Sequence, residues 1–331
     1  MMRRRDFINL LGGVAAGLPL TARAQQSGRM RRVGVLEGVA EDNVQAQPRR
    51  AAFQQELERL GWVEGRNARF DYRYGAGVAD RYQAIAKELL VLQPDVVLAT
   101  TTPAVAALKS ESGAISIVFT FVSDPIGSGF ITSLARPGGN ITGFLNLEAT
   151  IASKWLGMLK EIRPQLRRAA FMANPKTTPF DYWLPEAEAA ARSLAIELLP
   201  SRVESAADIE GAIESVASAP NGGLVLLPDT FFTSTRFDLI VALTTRYRLP
   251  AISSNAQFVM AAGLMSYGVD VLNVMRQAAV YVDRILRGEQ PADLPVQAPV
   301  KYETLLNLKT ARALGLTVPP SLLARADEVI E

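Results

Sequence analysis

Residues 120–144 read TFVSDPIGSGFITSLARPGGNITGF, and this stretch decides the fold. An apolar strand predicted over 115–122 ends in Ser-Asp-Pro at 123–125. In open α/β sheets, ligands bind beyond the carboxyl ends of the strands, which is where these two polar side chains would lie. The Pro-Gly-Gly-Asn turn at 137–140 tolerates positive φ and leads into a second strand at 141–144. We therefore predict two similar lobes that face a cleft, with this stretch lining one wall.

The length and composition agree with two globular domains. The chain has 331 residues, of which 49% are hydrophobic and 21% charged. A chain of this length exceeds what one typical core supports, so two domains are expected. The first 24 residues carry four arginines and one aspartate, so the remainder has a formal net charge of −1. The apparent basicity belongs to the leading segment, and we expect no nucleic-acid partner.

The leading segment has the order of an export signal. Three consecutive arginines at 3–5 precede an apolar run that ends at Leu20, and Ala-Arg-Ala follows at 22–24. This order predicts a twin-arginine-like signal peptide over residues 1–24, removed after Ala24, and hence a periplasmic protein. The alternative is a retained single-helix membrane anchor. It is disfavoured because three glycines and a proline interrupt the apolar run.

The chain contains no cysteine and no histidine. This composition excludes disulfides, Cys-ligated iron–sulfur clusters, His-ligated haem and His-containing zinc sites. It equally excludes catalysis by Ser-His-Asp or Cys-His arrangements. We therefore expect no metal, no cofactor and no catalytic residue, and we expect stability to come from large packed cores.

Strand and helix patterns alternate along almost the whole chain, which predicts α/β architecture with parallel sheets wrapped by helices. We predict two doubly wound lobes joined by three hinge crossings. The first lobe is expected to comprise 31–144 plus 268–290, and the second 145–262 plus 300–331. The second and third crossings are expected at 263–267 and 291–299.

Short polar side chains recur where predicted strands end, and these are the candidate ligand-binding residues. They are Thr101, Thr102, Ser123, Asp124, Asn174, Asp229, Thr230, Ser254 and Asn255. If Asp124 and Asp229 come from opposite lobes, an ammonium group would fit between them. The alternative for each position is a helix cap, since Ser, Thr, Asp and Asn are the preferred caps. The two interpretations are compatible, because a capped helix N-terminus also offers N–H groups to an anion.

A second candidate is the segment at 75–80, Gly-Ala-Gly-Val-Ala-Asp, which lies between a predicted strand and a predicted helix as a dinucleotide-binding loop would. Asp80 occupies the position of the third glycine, and its carboxylate would face a pyrophosphate. A helix start is the favoured explanation of this segment.

Several motifs resemble those of a known family. They are LGWVEGRN at 60–67, VSDP at 122–125, LARPGGNITG at 134–143, GLMSYG at 263–268, YVDRIL at 281–286, NLKTA at 307–311 and PPSLL at 319–323. The chain resembles the substrate-binding proteins of ABC transporters with the type I periplasmic-binding fold, in the group that includes tryptophan-binding-like proteins. The resemblance covers essentially the whole chain after the predicted signal.

The resemblance implies a monomer that closes two lobes on a small polar solute, an amino acid or related carboxylate. It also implies delivery of the solute to an ABC transporter permease in the inner membrane, without catalysis. By position, the candidate residues other than Ser254 fall where the family has its cleft. After the first predicted strand, Glu37 and Gly38 stand where the family is expected to have a Ser or Thr. The residue that binds the ligand's carboxylate is therefore not identified. The alternatives are an exported ligand-sensing module and a cofactor-dependent periplasmic enzyme, which the lack of His and Cys disfavours.

Overall fold

The structure, a computed structural model, describes residues 29–331, without the side chains of residues 234 and 235. The predicted signal peptide at 1–24 lies outside the described residues. Two separate sheets, each flanked by helices, make up the described chain. The α/β architecture expected from the alternating pattern is confirmed.

The first sheet has five strands, all parallel, in the order β2-β1-β3-β4-β5. Its strands are β1 Arg31–Glu37, β2 Ala68–Tyr74, β3 Val96–Thr100, β4 Ser116–Val122 and β5 Ile141–Leu145. Three helices connect the first four strands: α1 Ala46–Arg59, α2 Arg81–Val91 and α3 Thr102–Glu111. Because β3 is buried along its whole length, it reads as a near-continuous apolar run.

The second sheet has seven strands in the order β12-β11-β10-β9-β8-β6-β7. They are β6 Arg168–Ala173, β7 Glu197–Arg202, β8 Gly222–Leu226, β9 Ala251–Ser253, β10 Met265–Val269, β11 Tyr302–Asn307 and β12 Glu328–Ile330. This sheet is mixed, because β11 runs antiparallel to β10. The predicted parallel arrangement is confirmed for the other strand pairs of this sheet, and the one antiparallel pair departs from it. The chain leaves this sheet through β10 and returns through β11 from the side of the first lobe, so the two strands point in opposite directions.

The remaining helices flank both sheets. They are α4 Ile151–Ile162, α5 Phe180–Ser193, α6 Ala206–Ala217, α7 Thr230–Thr235, α8 Phe237–Arg246, α9 Ala256–Met260, α10 Val271–Leu286, α11 Leu308–Ala313 and α12 Pro320–Leu323, with a 3₁₀ turn at Pro291–Asp293. Helix α10 returns to the first lobe, where it packs on α1 and on the first sheet. Between residues 29 and 331, no helix combines the length and the apolar character that crossing a membrane requires.

The crossings between the sheets lie at different residues from those expected. Met265–Val269 pairs with both β9 and β11, so the second crossing follows Val269 instead of lying at 263–267. Gln297 still belongs to the first lobe, because its carbonyl accepts a hydrogen bond from Leu145 N at 2.9 Å. The third crossing therefore begins after Gln297. An ion pair of 2.8 Å between Lys301 and Asp270 joins the second and third crossings.

The cores form on both faces of each sheet, and one of the two cores of the second lobe contains two tryptophans. Trp155 of α4 and Trp183 of α5 are fully buried, and their ring centroids are 5.6 Å apart. The indole N–H of Trp155 donates to the carbonyl of Tyr267 at 2.8 Å. This bond ties α4 to β10, the strand that leads into the second crossing.

We predict that Trp155→Ala lowers the free energy of unfolding by about 3–5 kcal/mol, because the large side chain leaves a cavity that the core fills only in part. Urea unfolding followed by circular dichroism measures the change. Trp155→Phe retains most of the apolar surface and serves as the control, with a smaller loss expected. A cost below about 1 kcal/mol for the alanine variant would contradict the role given to Trp155.

Candidate functional site

A cavity lies between the two sheets, at the carboxyl ends of their central strands. Its walls combine short hydroxyl and amide side chains with two phenylalanines, a guanidinium and a carboxylate. The lining residues are Val39, Arg49, Thr101, Thr102, Phe121, Ser123, Asn146, Thr177, Thr178, Pro179, Leu227, Pro228, Asp229, Thr230, Thr233, Phe237, Ser253, Ser254, Asn255, Val269 and Val271. Residues of both lobes line the cavity, as the topology of open α/β sheets leads one to expect.

Seven of the nine candidate residues lie on the wall of this cavity. They are Thr101, Thr102, Ser123, Asp229, Thr230, Ser254 and Asn255. The other two, Asp124 and Asn174, do not line it. The structure therefore brings together most of the strand-end residues that the sequence singles out, from both lobes.

Asp124 has a local partner instead of a place on the cavity wall. Its carboxylate accepts a hydrogen bond from the backbone N–H of Gly127 at 2.8 Å. Asp side chains commonly close such turns on their own backbone. Asp124 therefore does not share the cavity wall with Asp229, and the placing of an ammonium group between the two carboxylates stays a prediction.

Asp229 lines the cavity but also holds its own lobe together. Its carboxylate accepts hydrogen bonds from the N–H of Asn174 at 2.6 Å, the hydroxyl of Thr177 at 2.5 Å and the N–H of Phe231 at 2.9 Å. The last of these caps α7. The side chain is buried, and burial raises the pKa of Asp229 to about 6, although these hydrogen bonds act to lower it. Asn174, outside the wall itself, supports it through this contact.

Backbone strain is present at two positions on the cavity wall. Thr101 has φ of 108° and Phe121 has φ of 57°. A positive φ is uncommon outside glycine, and it is costly for the β-branched Thr101. Thr101 directly follows β3, and Phe121 is the last but one residue of β4, whose pairing with β5 shifts register between Phe119 and Val122. Residues held in such conformations are concentrated at functional sites.

Sequence reasoning missed Arg49, which lies in α1 and lines the cavity with only 5% of its surface exposed. Its guanidinium lies 3.7 Å from the carboxylate of Glu37 and 4.9 Å from the centroid of the Phe121 ring. The available signal was helical spacing. Arg49 precedes the apolar Ala52 and Phe53 by three and four residues, so it shares their buried face.

The lobes also contact each other at the rim of the cavity. Asn43 donates from its side-chain amide to the carbonyl of Thr233 at 2.8 Å. A methyl group on Gly77 would lie 2.5 Å from the carbonyl oxygen of Thr230, so only glycine permits this approach. The rim is therefore closed on this side by α7 of the second lobe. The segment at 75–80 therefore contacts the second lobe through Gly77.

No group of three or more His, Cys, Asp or Glu side chains that is able to hold a metal ion occurs within residues 29–331. The cavity wall carries one carboxylate, that of Asp229, beside hydroxyls and amides. This arrangement suits hydrogen bonding to a polar molecule together with contact between its apolar part and the two phenylalanine rings.

We predict that the cost of Asp229→Ala, measured as a loss of unfolding free energy, is larger at pH 4 than at pH 7 by about 2 kcal/mol. The pKa of Asp229 is about 6 in the folded state and 3.8 in a model peptide. Between these values the folded protein binds a proton that the unfolded chain has released. The contribution of Asp229 to stability is therefore greatest below pH 4 and is lost as the pH rises through 6.

Denaturant unfolding at several pH values measures this dependence. Asp229→Asn is the control, because it also lacks the titrating group while keeping the size of the side chain. Its cost should change with pH in parallel with that of the alanine variant. A cost that grows from pH 4 to pH 7 would show that the folded state favours the carboxylate instead.

Known proteins share both the sequence pattern and the fold. The family model described as "ABC transporter substrate binding protein" matches residues 32–330. A tyrosine-binding protein from Clostridioides difficile (strain R20291) is 22% identical over 267 residues, which cover 80% of this chain and 75% of that protein.

Two solved structures resemble the whole described chain. A conserved domain protein from Vibrio cholerae superposes with a TM-score of 0.84 at 26% identity, covering 91% of this chain and 100% of that one. An ABC domain from Streptococcus pneumonia in complex with L-Trp superposes with a TM-score of 0.83 at 22% identity, with coverages of 91% and 100%. Because the family model spans nearly all of the described residues and the fold agrees, this chain belongs to the family of ABC transporter substrate-binding proteins with the type I periplasmic-binding fold.

Proposed function

We propose that this protein is the exported solute receptor of an ABC transporter. It closes its two lobes on a small polar solute, an amino acid or related carboxylate, and passes it unchanged to a permease in the inner membrane. Residues 1–24 direct export and are removed after Ala24, so the monomeric mature protein meets its solute in the periplasm. Family membership supports the transport role, and the absence of His and Cys from the sequence is in keeping with binding without chemistry.

The observation that carries the proposal is that both lobes contribute to one cavity. Thr101 and Ser123 come from the first lobe, and Asp229 and Asn255 come from the second. A solute that touches both walls makes more contacts when the lobes are closed than when they are apart. Such a solute stabilises the closed state by its difference in affinity for the two states.

The chemistry of the wall favours an amino acid with an apolar side chain. Phe121 on one wall and Phe237 on the other offer aromatic surface, while hydroxyl and amide groups are available to the polar end. The proteins similar to this chain include one named for tyrosine binding and one crystallised with L-Trp. We therefore place aromatic amino acids first among the candidates.

Within this site, we assign the ligand-facing role to seven residues, which contribute hydroxyl, amide and carboxylate groups from the two lobes. They are Thr101, Thr102, Ser123, Asp229, Thr230, Ser254 and Asn255. Asn174 acts through its backbone contact with Asp229, and Asp124 through its turn. Neither of these two is assigned a direct contact with the solute.

We predict that a thermal-shift screen of the purified protein against the twenty amino acids and small carboxylates identifies a ligand, with aromatic amino acids the strongest. A ligand that binds only the folded state stabilises it by about 2.7 kcal/mol at a hundredfold excess over Kd. The D-enantiomer of each hit is the control for stereospecific binding. A screen in which no amino acid or carboxylate raises the melting temperature would contradict the proposal.

We also predict that Gly77→Ala weakens binding of the best hit about tenfold or more, because the added methyl group overlaps the Thr230 carbonyl only when the lobes are closed. Isothermal titration calorimetry measures the affinity. Small-angle scattering should show that the ligand compacts the wild-type protein more than the variant.

Gly61→Ala is the matched control for this substitution. Gly61 also has a positive φ, of 101°, but a methyl group added there would meet no atom of a residue outside its own neighbours within 4 Å. The control therefore carries the backbone cost without the contact between lobes, and its affinity should equal that of the wild type. Equal affinities for both variants would mean that the rim contact plays no part in closure.

A further inference from the structure

We propose that Arg49 recognises the carboxylate of the solute. The inference rests on the proposed function and supplies what the strand-end residues lack, a positively charged partner for an anionic group. Arg49 reaches the cavity from α1, a helix, and is the cationic side chain among the residues that line it.

The guanidinium of Arg49 is buried with its hydrogen-bonding capacity largely unused. Its Nη1 is 3.7 Å from Glu37 Oε2, beyond hydrogen-bond distance, and its Nε has no partner among the described residues. An arginine side chain presents five N–H donors in a planar fork. Buried donors are normally paired, so a buried fork that borders a cavity without such partners points to a group that arrives from outside the chain.

Glu37 compensates the charge of Arg49 only in part. Its Oε2 accepts a hydrogen bond from the Thr100 hydroxyl at 2.9 Å, while its Oε1 has no partner within residues 29–331. Glu37 lies behind Arg49 and is not on the cavity wall. Burial raises the pKa of Glu37 and lowers the pKa of Arg49, so each charged form is incompletely stabilised by the other. A second carboxylate on the cavity side of Arg49 would supply what the pair lacks.

Phe121 fixes the position of the guanidinium on its remaining side. The Arg49 Cζ atom lies 4.9 Å from the centroid of the Phe121 ring, within the range of a cation–π contact. The ring is held there by a backbone with φ of 57°, a conformation that has to be stabilised by its surroundings. The last but one residue of strand β4 is thus strained, and its ring supports the cation at the cavity.

The charge on the opposite wall of the cavity determines how the solute is oriented. Asp229 stands on the second-lobe wall, and a carboxylate placed beside it would be repelled. A zwitterionic amino acid is therefore favoured with its carboxylate towards Arg49 and its ammonium group towards the second lobe. The competing explanation is that Arg49 only neutralises Glu37, and a comparison of acids with amides separates the two.

The test compares acids with their amides, which keep the ammonium group and lose the anionic charge. Isothermal titration calorimetry of the purified protein is carried out with L-tyrosine, L-tryptophan, L-phenylalanine and L-leucine, each against its amide. We expect the wild-type protein to prefer the acid by about 100-fold or more, the range expected for a buried charged hydrogen bond. Equal binding of acid and amide overturns the inference and leaves the proposed function standing.

The variants assign the preference to one side chain. Glu37→Gln combined with Arg49→Gln removes both charges and avoids a buried, unpaired carboxylate. We expect this double variant to bind acid and amide alike. Glu37→Gln alone leaves the Arg49 cation in place and should keep or strengthen the preference for the acid, so loss of the preference in this variant overturns the assignment. A double variant that still prefers the acid overturns the assignment.

Arg50→Gln is the matched control, because Arg50 is the next residue of the same helix and packs on the ring of Tyr72 at 4.6 Å, outside the cavity wall. It should keep the wild-type preference. Circular dichroism and thermal melting establish that each variant is folded.

Should the double variant not fold, Arg49→Lys keeps the charge without the planar fork of donors, and an undiminished preference for the acid in that variant overturns the role of the guanidinium. If neither acids nor amides bind the wild-type protein, the proposed amino-acid ligand fails first and the inference falls with it.

Discussion

Three short crossings, each a single segment of polypeptide that passes from one lobe to the other, determine how the two sheets face each other. Each sheet has its own buried layers on both faces, so neither lobe depends on the other for its core. What the crossings impose is that the carboxyl ends of both sets of central strands point to one gap. The polar strand ends, the two phenylalanines and the buried Arg49 are brought within reach of one small molecule by this constraint. The rim contact between Gly77 and Thr230 is a consequence of the same geometry.

The walls of the gap show how capping and binding use the same groups. Asp229 caps α7 and binds the backbone of Asn174, yet it still lines the cavity. A side chain that is already fixed by its own lobe loses little conformational freedom when a solute arrives. The strained backbone at Thr101 and Phe121 has a similar effect, since both residues are held in one conformation before binding. On the cavity wall, the first lobe supplies the buried cation of Arg49 and the second the buried carboxylate of Asp229, so the two charges define one direction across the cavity.

The sequence predicted the alternating architecture and most of the cavity wall because both follow from short-range rules. Apolar runs define strands, and Thr101, Ser123 or Asn255 are recognised because they come directly after such runs. The rule of looking directly after apolar runs could not find Arg49, because Arg49 does not follow a strand. It lies within helix α1, and the helix brings its side chain to the cavity wall. Asp124 was selected by the same rule, but its carboxylate accepts a hydrogen bond from the N–H of Gly127, three residues away, and it does not line the cavity. The antiparallel β11 was missed because its direction depends on the path of the last crossing and not on its own residues.

The path of the chain between the lobes has a consequence for folding. The first sheet is complete in sequence by Leu145, but the helix that covers one of its faces, α10, begins only at Val271. The second sheet, in turn, receives its last two strands from 302–330. During synthesis neither half has all its parts until the chain is nearly finished, so apolar surface of the first sheet stays uncovered while about 125 further residues are added, a matter of several seconds or more at ordinary elongation rates. Exposed apolar surface of this kind is prone to aggregation, so the incomplete first lobe is most vulnerable before the carboxyl-terminal segments are synthesised.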